Sequence, residues 1–236
     1  SSEKNGTYST NLPKYTNVGE YPIYIQVTVK VGETSYTLSE EATLMIKPKS
    51  IEVTGNHQEF TYDGTSHKVE GVTATNLVEG HKISSKDAVA ERTEEGQTNM
   101  GLTTSSSYVI EDAEGNNVTG NYSISKVTDG YVKINADELN ETDFEVSGLG
   151  NHVYDGKSHK DVPVVTKKGS SEPLEEGTDY TVSYDTENFV DVKTITVTIT
   201  GKGNYSGVVI KTYQITERPI EVTGNHQEFT YDGTSH

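Results

Sequence analysis

Cysteine is absent from this 236-residue chain. Its absence removes a disulfide framework, thiolate metal ligation and a thiol nucleophile together. It fits the cytosol, and equally a cell-surface protein built without disulfides. Basic residues are scarce, with 19 Lys and Arg against 36 Asp and Glu, for a net charge of -17. A surface this acidic repels phosphate backbones and anionic lipid, so nucleic acid is not an expected partner. No apolar run approaches the roughly 18 residues that a membrane-crossing helix needs, and no membrane insertion is expected. There is no initiator Met, signal peptide or anchor, as expected of a piece of something longer.

Catalytic signatures are missing too. No Gly-x-Ser-x-Gly elbow occurs, and no Gly-rich loop precedes a helix to cradle phosphate. The acidic pairs Glu94-Glu95 and Glu175-Glu176 are sequence neighbours, so on strands they point to opposite faces and read as solvated charge. Neither an enzyme nor a cofactor is expected. Hydrophobic residues are only 31% of the chain, which implies lean cores and small, marginally stable domains.

What is present is repetition. The stretch Ile51–His67, IEVTGNHQEFTYDGTSH, returns letter for letter as Ile220–His236, and a diverged copy, FEVSGLGNHVYDGKSH, spans Phe144–His159. The intervals between the three starts are domain-sized rather than solenoid-sized. The expected organisation is residues 1–50 as the C-terminal part of a repeat, 51–134 and 142–216 as two complete repeats, and 217–236 as the start of a further one.

Polar and β-branched residues alternate along the chain, as half-buried strands require. Ile23, Ile25, Val27, Val29 and Val31 share one face of a strand. A turn at Gly32-Glu33 returns the chain through Ala42, Leu44 and Ile46, and Pro48 closes the hairpin. Lys49-Ser50 then reads as a short linker. In the first complete unit Asp63-Gly64 predicts a tight turn between strands, with His67–Ala74 as the returning strand. Residues 84–97 fit either a helical turn over Asp87–Arg92 or a strand. Residues 135–141 read as a joint. In the second unit, Ile195, Val197 and Ile199 predict the inward face of a hairpin that bends over Gly201–Gly207 and returns through Val209, Lys211 and Tyr213.

Four features recur in order: the Tyr-Asp-Gly turn, Thr-Asn-Val/Met-Gly at Thr16–Gly19 and Thr98–Gly101, a Gly-Asn-Tyr-Ser bend, and an apolar strand leading into the next unit. Together they resemble the mostly beta-grasp (MBG) domains of bacterial cell surfaces and the related YDG-type repeats of large adhesins. The second unit departs from the pattern, with Glu187–Asp191 in place of Thr-Asn-Val-Gly. The resemblance implies an extracellular, tandemly arrayed, wall-anchored protein. The expected fold is all-β, as tandem small β-grasp-like domains, with an immunoglobulin-like β-sandwich as the alternative. The expected function is a stalk or spacer of a surface adhesin; the alternative is an adhesive module holding host glycan or protein.

Candidate sites are few. His57 and His67, and His152 and His159, flank the repeated turn, but their spacing differs between copies, which a fixed metal-ligand pair would not tolerate. Asp112, Glu114 and Asn116 in the loop EDAEGNN place oxygens at alternate positions, as hard-cation loops do; the competing reading is a polar hairpin tip. A Lys–Asn isopeptide crosslink has no evident signature. Asn5, Asn117, Asn121, Asn140 and Asn204 match the glycosylation acceptor pattern, which means little in a bacterial chain. The remaining expected partners are neighbouring repeats and, through the incomplete end segments, strand exchange between molecules.

Overall fold

The computed structural model describes residues 9–236; the acceptor-pattern residue Asn5 lies outside them. The chain divides into two compact units, the first ending at Asn135 and the second beginning at Ala136.

The first unit opens with a ribbon of β1 (Gly19–Val31) and β2 (Thr34–Ile46), paired antiparallel around a turn at Gly32. There follow β3 (Lys49–Gly55), β4 (His57–Thr61), β5 (His67–Glu70), β6 (Val72–Ala74), β7 (Lys82–Ser85) and β8 (Val89–Arg92). The unit ends with β9 (Gly96–Asn99), β10 (Tyr108–Glu111), a 3-10 turn at Thr119–Asn121, β11 (Tyr122–Thr128) and β12 (Tyr131–Asn135). Two three-stranded sheets run β11-β3-β6 and β4-β12-β9, beside the pairs β5-β8 and β7-β10.

Both three-stranded sheets contain a parallel pair, β3 with β11 and β4 with β12. The connectivity explains this. The chain runs from β3 into β4 at Gly55-Asn56 and from β11 into β12 at Asp129-Gly130, so two neighbouring strands change sheet side by side. Asp129 holds this corner, accepting bonds from the N–H groups of Gly101 (3.0 Å), Leu102 (2.9 Å) and Gly130 (2.9 Å). One core gathers Ile51, Val53, Val72, Ala88, Leu102, Tyr108 and Ile110, and a second gathers Val69, Ala90, Val132 and Ile134, with Met100 against both. Alternation along β3 and β12 puts Ile51, Val53, Val132 and Ile134 inward, as a period of two requires.

The second unit comprises β13 (Asp137–Glu138), β14 (Phe144–Ser147), β15 (His152–Val153), β16 (Val164–Lys167), β17 (Tyr180–Tyr184), β18 (Lys193–Gly201), β19 (Tyr205–Ser206) and β20 (Val208–Thr216). Its main sheet is ordered β15-β20-β18-β17, beside the pairs β14-β16 and β13-β19. As the alternation predicts, Ile195, Val197 and Ile199 are fully buried, in a core with Phe144, Val165, Tyr213 and Ile215.

The fold is mostly β and multi-sheet, consistent with the sandwich-like alternative. Among the described residues the only helical element is the single 3-10 turn. Several local expectations change. The Asp63-Gly64 turn does not make a hairpin, because β4 pairs with β12 and β5 with β8. The returning strand 67–74 is split at Gly71, whose φ of 94° directs β5 and β6 into different sheets. Residues 89–92 take the strand option. Lys49-Ser50 and the joint at 137–138 are paired strand: Tyr122 lies opposite Lys49, and Tyr205 opposite Asp137, both in parallel. The strand face of Ile23, Ile25, Val27, Val29 and Val31 reads as half-buried from sequence; Ile23 is half-buried, but Ile25, Val27, Val29 and Val31 are exposed. Residues 217–236 form no strand and are exposed throughout.

Candidate functional site

The repeated turn is a self-contained unit of hydrogen bonding. Asp63 Oδ1 accepts from Thr65 N (2.8 Å), Thr65 Oγ1 (2.7 Å) and His67 Nε2 (3.1 Å). The ring of His67 stacks on Phe60 at 4.1 Å. The last copy repeats it: Asp232 Oδ1 accepts from Thr234 N (2.9 Å), Thr234 Oγ1 (2.8 Å) and His236 Nε2 (2.9 Å), and His236 stacks on Phe229. In the second unit Asp155 accepts from Lys157 N and His159 Nε2, both at 2.9 Å, and His159 stacks on His152. The donors lower the pKa values of the carboxyls they serve. The Thr65 hydroxyl and amide hold Asp63 down to about 2, and backbone donation holds Asp155 and Asp232 below the usual range.

This accounts for the histidines. His67 and His159 are bound to the turn aspartates, and His152 Nε2 contacts both oxygens of Asp161 at 2.9 and 3.0 Å. His57 stacks on Tyr131 at 5.0 Å. Among the described residues no group of three or more His, Asp or Glu side chains gathers around a point a metal could occupy.

The loop carrying Asp112, Glu114 and Asn116 is closed by its own amides. Asp112 Oδ1 accepts from Glu114 N (3.0 Å) and Asn116 N (2.8 Å), and the Asn116 side-chain amide reaches Oδ2 at 3.0 Å. The Asn116 side chain is the largest cause holding the Asp112 carboxyl below its usual range. Lys133, Asn135 and Glu59 do assemble a Lys–Asn–acid group, with both donors 3.1 Å from Glu59 Oε2. The Lys133 and Glu59 side chains are 39% and 46% exposed, so the carboxyl is not desolvated. Its pKa is lowered, chiefly by the Asn135 side-chain donor. The Glu94-Glu95 pair lies between β8 and β9, where Arg92 donates to both backbone carbonyls.

The arrangement best suited to a ligand lies in the first unit; sequence reasoning named Asp112 and Asn116 of its lining as a cation loop and Asn117 and Asn121 as acceptor-pattern residues, but did not bring them together with Asn17, His81 and Tyr122. A depression of about 390 Å³ is lined by residues that include Asn17, Lys47, Lys49, His81, Asn121 and Tyr122. A second hollow of about 390 Å³ adds Asn116 and Asn117 and shares Asn17 and Asn121. Asn121 fixes the wall: its Oδ1 accepts from Val18 N at 2.8 Å, and its Nδ2 donates to Asn17 Oδ1 at 3.0 Å. Tyr122 Oη is 2.7 Å from His81 Nδ1 and accepts from Val78 N at 3.2 Å. Carboxamides, an imidazole, a phenol, two lysines and the Asp112 carboxylate converge here, a set suited to hydrogen bonding with a polar ligand. A smaller hollow of about 220 Å³ in the second unit is lined in part by Phe144, Lys168 and Lys211. Both lysines there are already bonded to Glu141, at 2.7 and 2.6 Å.

Among known proteins, no family model matches the chain and no curated protein matches it. Among solved structures, SGBP-B of the Bacteroides ovatus mixed-linkage glucan utilization locus, in complex with a mixed-linkage heptasaccharide, is similar at 13% identity and a TM-score of 0.17. The match covers 98% of this chain and 62% of that one, so the chain spans less than two thirds of that protein's length. A likeness at this level assigns nothing to the chain beyond its own geometry.

Proposed function

We propose that this chain is a non-enzymatic, repeat-built spacer segment of a bacterial surface protein, with repeats of the MBG or YDG type. The observation that carries the reading is one of register. Phe60 lies opposite Ile134 and Thr61 opposite Asn135; in the second unit His152 lies opposite Ile215 and Val153 opposite Thr216. The next amide continues each ladder, Tyr62 N to Asn135 O at 2.8 Å and Tyr154 N to Thr216 O at 2.9 Å. Two diverged sequences therefore make the same parallel closure between the start and the end of a unit. Such a unit sets a spacing without chemistry, and its repetition sets reach. The repeat boundaries at 51–134 and 142–216 belong to this reading, as do wall anchoring and an extracellular location. The net charge of -17 keeps neighbouring units from associating unselectively. Small-angle scattering on chains carrying one and two added units tests it. The maximum dimension should rise by a constant increment per unit, and collapse to a globule without such an increment would sink the reading.

A second reading is favoured by the depression around Asn121 and Tyr122: an adhesive module that holds a polar host ligand such as a glycan. Calorimetric titration against a panel of oligosaccharides tests it, with Tyr122→Ala expected to abolish any heat seen with the unaltered chain.

A further inference from the structure

The strand that closes each unit is hydrogen-bonded on both sides. β12 lies between β9 and β4, and β20 between β18 and β15. The corresponding strand of the opening ribbon is β2, whose ending Ala42–Ile46 matches Gly130–Ile134 and Lys211–Ile215 in apolar pattern. Among the described residues β2 pairs with β1 alone. Among the described residues its other edge is therefore open, along a strand whose side chains include exposed Leu38, Leu44 and Met45. Open, apolar edges of this kind are templates for strand addition.

The same chain holds a segment with the sequence that fits. His226–Tyr231 reads HQEFTY, identical to His57–Tyr62, which lies in parallel along β12. Residues 226–231 are themselves exposed and outside any strand, with Phe229 at 57% and Tyr231 at 93%.

We infer that the open edge of β2 is a docking site for the His226–Tyr231 strand of a second copy of this chain. The register follows from the occupied copies: Phe229 opposite Ile46, Thr230 opposite Lys47, and the Tyr231 N–H donating to the Lys47 carbonyl. Phe229 then packs toward Leu44 and Ile46, as Phe60 packs against the core of Val132 and Ile134. Donor and acceptor are different surfaces, so the contact is heterologous and adds copies head to tail. This association goes beyond a spacer role, and its test does not depend on that role.

Sedimentation equilibrium over a hundredfold concentration range is the first measurement. The mass should rise with concentration, and Tyr231→Pro should weaken association at least tenfold. Proline removes the amide that would bond to Lys47 while keeping the preceding residue extended, and position 231 lies outside both folded cores. A monomer at every concentration, or association untouched by Tyr231→Pro, overturns the inference. The chain contains no cysteine, so a double variant Lys47→Cys, Thr230→Cys gives an unambiguous crosslink. Mild oxidation should yield a ladder of covalent oligomers on a non-reducing gel. A closed monomeric ring would show that the same chain supplies the strand, and unlinked monomer that nothing seats there; either result overturns docking of a second copy.

Discussion

Gly55 and Gly130 lie back to back where two parallel strands change sheet together. A Cβ built on Gly55 would fall 2.7 Å from the Gly130 Cα, and one built on Gly130 would fall 2.9 Å from the Gly55 carbonyl carbon. The obstruction is backbone on both sides, so no side chain can move aside to relieve it. Gly55→Ala or Gly130→Ala should destabilise the first unit by about 1–3 kcal/mol, as overpacking of a tight site does. Gly115→Ala supplies a contrast: its φ of 83° disfavours alanine, but nothing lies within 4 Å of the added carbon. Urea unfolding monitored by tyrosine fluorescence would rank the three, with both crossover variants less stable than Gly115→Ala.

The turn aspartate gives a prediction in pH. Asp63 is held at about 2 in the folded chain, first by the Thr65 hydroxyl and amide, whereas an unperturbed Asp titrates at about 3.9. A depressed folded value means the contribution to stability is complete above about 3.9 and is lost as pH falls toward about 2. Carboxyl carbon chemical shifts should show Asp63 titrating near 2, and Thr65→Val should move that midpoint upward. An unaltered midpoint in Thr65→Val would show that the hydroxyl does not hold the carboxylate.

What the sequence disclosed depends on how local the signal is. Ile195, Val197 and Ile199 alternate without interruption, and a pattern with a period of two states its own buried face. The Asp63-Gly64 pair stated equally well that the chain bends. It carried no information on which strands the bend joins, because β4 finds its partner in β12, far along the chain, rather than in β5. Lys49-Ser50 looked like a linker for the same reason: its hydrogen-bonding partner, the strand from Tyr122, is remote. The depression was hidden more deeply. Asn17 and Asn121 are 104 residues apart and meet only through the fold, and an asparagine in a Gly-Asn-Tyr-Ser bend reads as turn chemistry on its own. The bonds of the turn histidines to the aspartates four residues earlier were legible in Asp-Gly-x-Ser-His and were missed.

The exposed ribbon separates apolar pattern from burial. Val29 and Ile199 both sit at inward-patterned strand positions, yet Val29 is 55% exposed and Ile199 is 0% exposed. Ile199→Ala should cost about 2–5 kcal/mol in the second unit, the range for deleting a buried aliphatic side chain. Val29→Ala should stay within about 0.5 kcal/mol. Thermal unfolding of both variants, in dilute solution where copies do not associate, provides the comparison. A large loss in Val29→Ala would show that something covers the ribbon face.

Asp129 ties together the corner at Gly130 and the loop after β9 through its bonds to Gly101, Leu102 and Gly130. Leu102 and Gly130 are buried, so removal of the carboxylate leaves their amides without a partner, at a cost of about 1–3 kcal/mol for the desolvated donors. Asp129→Ala should therefore destabilise the first unit by that amount and speed hydrogen exchange at Leu102 and Gly130, with the second unit unaffected. Asp129→Asn retains one acceptor oxygen and should recover part of the loss, since that oxygen can still serve Leu102 and Gly130 as Oδ1 does now. Equal damage from the two substitutions would mean that charge, rather than the count of accepted bonds, holds the corner. Amide exchange read residue by residue distinguishes these outcomes, because the charge account slows or speeds all three amides together while the bond account spares the pair nearest the retained oxygen.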